Sequence, residues 1–388
     1  MRVRGAVLTG PRRQFEIRHV ELEPPRSHEL LVRIVASGLC GSDLNAIDGK
    51  RTLVPFPAIL GHEAAGVVEQ LGDEVEGVRV GDHVVVSILS SCGDCPACRA
   101  GRRNYCATAA AAMSDGALLD GSSRLSFRGE RLHHFLTVSS FAQYAVVPES
   151  SVTVIDPAMP LDRAALLGCG VLTGFGAVTR TAGVRPGDRV AVFGCGGVGL
   201  SAIQAARIAG AATIVAVDVH PAKLGLAGAL GATALVDASA QDPAAAVRAA
   251  ADGGVDHAFE AAGREQTISQ AWSSLAPGGQ LVIIGTLTSG ATLTIDADPL
   301  IEEKRIAGCY LGSATPARDV PALVGLYLDG QLLLDELITR RLELTELDQA
   351  FARMRAGAEA RQVVVFDGIG DEEGGSSGRR AASVARAT

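Results

Sequence analysis

Four cysteines stand close together: Cys92, Cys95, Cys98 and Cys106, spaced C-x2-C-x2-C-x7-C. Four thiolates at this density can close a tetrahedron around one Zn²⁺ and leave no open coordination position. Such a site is structural, pinning a lobe with little apolar core of its own. The same spacing also suits an iron–sulfur cluster, although no second redox feature accompanies it. A second candidate set is dispersed: Cys40, the pair His62–Glu63, and Cys169. Two Cys and one His are a known catalytic zinc set, with the fourth position open to water or substrate. Spacing alone does not bring these residues together, and lone Cys and His residues are more often packed and inert.

A third feature is Gly194-Cys195-Gly196-Gly197-Val198-Gly199, which fits G-x-G-x-x-G. Glycines here allow a tight turn and close approach of backbone to a pyrophosphate, and the following helix supplies free N–H groups. Asp218 lies 19 residues after Gly199, at the end of the next strand pattern. A carboxylate there can accept both ribose hydroxyls of NAD and repel the 2′-phosphate of NADP. The bland alternative for Asp218 is a strand-end cap. His220 and Lys223 lie nearby and soften the repulsion.

These side chains need elements to hold them. Residues 1–165 carry short β-like runs: Glu29–Val35, Ala64–Gln70, His83–Val86 and Gln143–Val147. Gly and Pro punctuate them, which reads as a β-rich, irregular domain. The character changes near Gly170. Arg189–Phe193, Thr213–Val217, Ala234–Val236, Val255–Phe259 and Gln280–Ile284 read as strands, with Val198–Ala209 and other Ala-rich segments as helices between them. Strands alternating with helices imply a doubly wound parallel sheet, hence an α/β fold of Rossmann type. Val320–Leu328 and Leu347–Arg355 look helical, and Arg361–Phe366 is a strand candidate. The expected division is 1–170, with a zinc lobe at about 90–110; 171–310 for the dinucleotide; 311–366 returning to the first domain; and a disordered Gly/Ser/Arg/Ala-rich tail, 367–388.

The 388 residues suit two domains. A net charge of −8 disfavours nucleic acid as partner. No apolar run reaches the ~18 residues of a membrane span, and the N-terminal apolar stretch is too short for a signal-peptide core. The plain expectation is a cytoplasmic enzyme, with its eight cysteines used for metal rather than disulfides.

Taken in order, GLCGSD (38–43), GHEAAG (61–66), the four-cysteine loop, LLGCGVLTGFGA (166–177) and GCGGVG (194–199) resemble the zinc-containing medium-chain alcohol dehydrogenases. The stretch DGSSRLSFRG (120–129) with HHFL (133–136) resembles the longer dimeric branch, which holds the liver-type enzymes and the glutathione-dependent formaldehyde dehydrogenases. The resemblance covers about residues 5–366 and implies a GroES-like catalytic domain beside the Rossmann domain. It implies that Cys40, His62 and Cys169 bind a catalytic zinc, and Cys92, Cys95, Cys98 and Cys106 a structural one. Glu63 would sit behind the catalytic metal, and Asp43 would hold the outer nitrogen of His62. Lys223 would lie beside Asp218 on the adenosine ribose, and Arg361 near the pyrophosphate. The implied reaction is reversible hydride transfer between a primary or secondary alcohol and NAD, with zinc acidifying the alcohol.

Ser42 matches the hydroxyl that starts the family's proton relay; in the bland alternative it merely packs in the loop. Two departures stand out. Asn45 replaces the relay histidine, and Gly41 stands where liver-type enzymes carry a basic residue on the pyrophosphate. By motif position Ile88, Phe135 and Leu136 line the substrate pocket, although each could equally be core. Their apolar character favours a hydrophobic alcohol. No basic residue occurs from Cys106 to Met113, and no acidic one from Lys50 to Pro55, which disfavours glutathione adducts. Another thiol carrier stays open, and Arg51, Arg102 and Arg103 are the cations available to an anionic substrate, or are solvated surface. The alternatives are a thiol-adduct formaldehyde dehydrogenase of the same branch and, from another class, a zinc-stabilised dinucleotide-binding regulatory protein.

Overall fold

The computed structural model describes residues 1–51, 54–357 and 359–366. The tail expected at 367–388 lies outside the described residues. Three sheets organise the chain. The first runs Glu130–Arg131, Leu125–Phe127, Glu16–Leu22, Arg2–Leu8, Ala58–Ile59, His133–His134. The second centres on Glu29–Gly38, whose antiparallel partners are Glu63–Leu71, Tyr144–Pro148 and Arg361–Val365. Its near-continuous run of Leu, Val, Ile and Ala is buried almost throughout, so both faces of this strand are covered.

The third sheet is parallel, in the order Ala234–Asp237, Thr213–Asp218, Arg189–Phe193, Val255–Glu260, Leu275–Ile283, Arg305–Gly308. This is the doubly wound order in which sequence direction reverses beside the first strand, and ligands settle at that reversal. The helix Gly197–Ile208 starts there.

Two sequence expectations change. The fifth strand begins at Leu275 rather than Gln280. It runs through Pro277-Gly278-Gly279, and its register shifts between Val255 and His257 to absorb them. A Pro-Gly-Gly reads as a break, but near a sheet end a bulge can take it up. The sixth strand, Arg305–Gly308, was not expected, being too short and too polar to show a pattern. Helices also form at Ala107–Asp115, directly after the fourth clustered cysteine, and at Gly170–Gly176, directly after Cys169.

Strands near both ends of the chain meet in the second sheet. Val363 pairs with Gly38, two residues before Cys40. That register carries Arg361 back to the region of Cys40 and Glu63. Among the described residues no single helix is long and apolar enough to cross a membrane. A bent pair, Leu161–Gly168 and Gly170–Ala182, passes by length and composition, but most of its apolar side chains are buried in the core.

Candidate active site and zinc centres

Each dispersed residue sits at an element boundary. Cys40 caps the helix Gly41–Ile47, His62 directly precedes the strand Glu63–Leu71, and Cys169 precedes the helix Gly170–Gly176. The fold brings them together: donor atoms of Cys40, His62, Glu63 and Cys169 all lie within 4.8 Å of one another, and all four residues are buried.

Asp43 orients the set. It is fully buried and accepts N–H bonds from Cys40 (3.0 Å) and Gly61 (3.0 Å), while its Oδ1 lies 3.3 Å from His62 Nδ1. A carboxylate on Nδ1 fixes the ring tautomer and aims Nε2 at the cluster. His62 Nε2 is buried and has no hydrogen-bond partner among the described residues. An orphaned buried nitrogen is costly unless something binds it.

The close packing of these donors couples their protons. The Cys169 hydrogen bond, with His62 beside it, holds the Cys40 thiol well below the usual thiol range, and the same contact and burial push Cys169 up. Burial opposes charge on His62, but Asp43 and Cys40 outweigh it and push the imidazole up to about 10. Two thiols and an imidazole sharing protons in a dry site are a ligand set that a divalent ion would complete.

Glu63 offers an oxygen to the same cluster, and each of its oxygens also has a partner of its own. Oε1 accepts the Gly170 N–H at 3.2 Å, and Oε2 pairs with the buried Arg361 guanidinium. Glu63 is thus engaged by Gly170 and Arg361, whereas His62 Nε2 has no partner among the described residues.

Arg361 also reaches the glycine turn. A Cβ on Gly197 would overlap its side chain, so only glycine admits the guanidinium there. Gly194 is left-handed (φ 98°), and a Cβ on Gly199 would overlap the Gly194 carbonyl, so both positions require glycine. Gly196 caps the helix that starts at Gly197 and continues with Val198. Asp218 closes the next strand. Its oxygens accept from Cys195 N–H (2.7 Å), Val219 N–H (2.8 Å) and His220 N–H (3.0 Å), which hold the carboxylate at the rim of the turn. Lys223 lies one turn into the helix Pro221–Ala229.

Ile88 and Leu136 are nearly buried, and Phe135 wholly so. The Phe135 ring packs edge-on against His62 at 5.6 Å. Leu136, Thr137 and Ser139 are left-handed without being glycine (φ 52°, 61° and 60°). Such residues cost on the order of 1 kcal/mol each and persist where surroundings over-determine them. Here the Ser139 hydroxyl accepts the Phe135 N–H (2.9 Å) and donates to the Ile59 carbonyl (2.8 Å), and Thr137 donates to Ser90 (3.2 Å). The turn therefore holds Leu136 in one orientation. Ser42 is half-buried on the helix that follows Cys40.

The four-cysteine lobe is built differently. Cys95 and Cys98 sulfurs are 3.5 Å apart, Cys92 and Cys106 3.5 Å, Cys95 and Cys106 3.9 Å. A tetrahedron with ~2.3 Å metal–sulfur bonds has edges of about 3.8 Å. The N–H groups of Cys92, Cys95 and Ala109 point at these sulfurs. A hydrogen bond from Thr108, backed by backbone N–H groups, pulls the Cys92 thiol down to about 6. The lobe's own buried cluster holds only Cys98, Cys106 and Ala109. None of the eight cysteines is in a disulfide. Both sets fit zinc by donor type and spacing.

Sequence reasoning missed Tyr310, which precedes the turn Leu311–Ser313 that packs on the helix Gly170–Gly176. Nothing in its local sequence signals this, because the turn and the helix lie more than 130 positions apart.

The chain matches the family model described as "Alcohol dehydrogenase GroES-like domain" over residues 26–157, and that described as "Zinc-binding dehydrogenase" over 197–328. It is 37% identical to an S-(hydroxymethyl)glutathione dehydrogenase of Synechocystis sp., over 94% of this chain and 100% of that protein. Among solved structures it resembles an alcohol dehydrogenase zinc-binding domain protein from Burkholderia ambifaria (38% identity, TM-score 0.91, 95% and 100% covered). It also resembles benzyl alcohol dehydrogenase from Acinetobacter calcoaceticus (34%, TM-score 0.89, 94% and 99% covered). The chain belongs to the zinc-dependent medium-chain alcohol dehydrogenases, oxidoreductases that work with zinc and a nicotinamide dinucleotide.

Proposed function

We propose that this chain oxidises a hydrophobic primary or secondary alcohol to the aldehyde or ketone with NAD, reversibly. The observation that carries this reading is the set Cys40, His62 and Cys169, with Glu63 engaged by Arg361, next to the glycine turn that Arg361 also touches. Zinc held there would supply a Lewis acid that acidifies the alcohol, and NAD would accept the hydride. Asp43 keeps His62 in its ligating tautomer. The glycine turn and Arg361 hold the pyrophosphate, and Asp218 with Lys223 takes the adenosine ribose, favouring NAD over NADP. Ile88 and Leu136 give the alcohol an apolar wall, with Phe135 behind them. Ser42, two residues after Cys40, passes the alcohol's proton outward. Asn45 cannot titrate near neutral pH, so the proton goes on to water or to a base other than a relay histidine.

We read 1–170 with 311–366 as the catalytic unit and 171–310 as the cofactor unit. The working form we favour is a cytoplasmic homodimer with small-molecule substrates and neither nucleic acid nor membrane as partner. In support, Arg305–Gly308 has a strand partner on one side only among the described residues, and nearby Ile301 is 88% exposed. An uncovered edge with exposed apolar residues suits pairing with a second copy.

The second reading is a thiol-adduct formaldehyde dehydrogenase, favoured by the Synechocystis relative. NADH absorbance on zinc-quantified protein separates the two. The first reading expects turnover of aliphatic, aromatic or terpenoid alcohols. Turnover of S-(hydroxymethyl)glutathione or another thiol–formaldehyde adduct alone would replace it with the second.

A further inference from the structure

The helix Gly197–Ile208 carries the glycine turn at its start, and it is held at three places. At the start, a Cβ on Gly197 would overlap the Arg361 side chain, so backbone and guanidinium are in direct contact. Next, a Cβ on Gly174 would overlap the Val198 carbonyl oxygen and lie 2.7 Å from Ser201 Cβ. The helix Gly170–Gly176, which follows Cys169, therefore lies directly against the helix of the turn.

The third hold is at the far end. Gln204 is fully buried. Its Nε2 donates to the Leu333 carbonyl at 3.0 Å, and its Oε1 accepts the Leu333 N–H at 2.7 Å. Arg207 donates to the Gln331 carbonyl at 2.5 Å. Residues 331–334 belong to no helix or strand, so the Gln204 amide gives Leu333 the two bonds that a neighbouring strand would supply.

The segment so gripped is tied to the catalytic set. Asp335 pairs at 2.6 Å with Arg163, six residues before Cys169. Ile338, five residues after Leu333, is the strand partner of Arg361, and Thr339 Oγ1 donates to the Arg361 carbonyl at 2.9 Å. The contacts close a ring: Arg361, Gly197, Gln204, Leu333, Ile338 and back to Arg361. Gln204 lies about 10 Å beyond Gly197 along the helix axis. A helix held only near its start can pivot; one held at both ends cannot.

We propose that Gln204 is a positioning residue for hydride transfer: its amide, bonded to Leu333, seats the helix of the glycine turn so that the turn, Arg361 and Cys169 keep one spacing. This rests on the alcohol dehydrogenase reading. Gln204 acts through Gly197 and Arg361 and takes no part in the chemistry. Without the amide, the Leu333 N–H and carbonyl lose their partners, and the segment must shift to regain them. A shift of about 1 Å carried to the reacting atoms costs up to roughly a hundredfold in rate.

The test is Gln204→Met, which keeps the length of the side chain and removes both bonds. Stopped-flow formation of NADH at saturating benzyl alcohol, on zinc-loaded full-length protein, gives a rate constant that does not depend on the folded fraction and an amplitude that does. The expected rate constant is lower by roughly ten- to a hundredfold. The NADH dissociation constant, read by fluorescence on the same preparation, should be severalfold weaker. Arg207→Met loosens the same end of the helix from a half-buried position and should act in the same direction to a smaller degree, so the test stays decisive if Gln204→Met does not fold. An unchanged rate constant and NADH affinity, with only the amplitude or the thermal midpoint lowered, would overturn the proposal and leave Gln204 a packing residue. If the wild type turns over no alcohol, the alcohol reading falls, and the NADH affinities of the variants still decide on Gln204.

Discussion

The two cysteine-rich sites use the same elements in opposite ways. The lobe at Cys92–Cys106 gathers its donors within 15 residues, around a buried cluster of three side chains. The catalytic set draws donors from positions 40, 62 and 169, inside the largest core of the protein. In the lobe, the metal stands in for a core and would hold the backbone together. At the catalytic set, the core has already placed the donors, so the metal is free to do chemistry. Glu63 makes the contrast sharper: a fourth protein donor is near the catalytic set but is engaged by Gly170 and Arg361.

That contrast can be broken most forcefully at the lobe. Structural zinc contributes about 10–16 kcal/mol of apparent binding free energy that is also folding free energy. Cys98→Ala should therefore lose one zinc per chain and open residues 92–115 to hydrogen exchange and proteolysis, with the parallel sheet still protected. If the lobe stays protected without its zinc, the account of its stability is wrong. Next comes His62→Ala. Losing several kcal/mol of Lewis-acid stabilisation should lower kcat/KM by about 10³-fold or more. The thermal midpoint should move little, because the surrounding core does not depend on the ion. A collapse of the whole fold would erase the distinction between the sites.

A third prediction concerns the wall that backs the catalytic set. His134 is buried beside Phe135, and its Nε2 accepts the Arg124 N–H at 3.2 Å. Burial, with Arg124 and Arg131 adding to it, pushes its pKa down to about 3. The folded form thus rejects a proton that the unfolded chain accepts near 6.5. Its contribution to stability is whole above pH 6.5 and is lost as pH falls from 6.5 toward 3, on the order of 5 kcal/mol at most. His134→Asn should flatten this acid-side slope in urea titrations; an unchanged slope would place the loss elsewhere. The smallest effect is at Gly41. A Cβ there meets nothing within 4 Å. Gly41→Arg should reach the pyrophosphate and tighten NADH by about tenfold, as one charge-assisted bond does. Slower NADH release should accompany it in stopped-flow traces.

The same contrast explains what the sequence made legible. The lobe could be read from spacing, because its donors are local. The glycine turn could be read too, since Gly194, Gly199 and Asp218 carry backbone and charge demands in a short frame. Cys40, His62 and Cys169 became a site only through resemblance to a family, because no local pattern encodes a contact across more than 100 positions. The strand from Leu275 was hidden by Pro277-Gly278-Gly279, whose turn chemistry a bulge absorbs. The short strand Arg305–Gly308 draws its place from the edge of the sheet rather than from its own residues. Tyr310 was invisible for the same reason as the ligands: its partner helix lies far back in the chain.

Anomalous diffraction at the zinc edge, on crystals grown with NAD, tests the central claim most directly. The account predicts two peaks per chain. One should lie among Cys92, Cys95, Cys98 and Cys106, and the other should be bound by Cys40, His62 and Cys169 with a non-protein fourth ligand, Glu63 remaining on Arg361. A Glu63 oxygen completing the second tetrahedron, or no second peak, would contradict it.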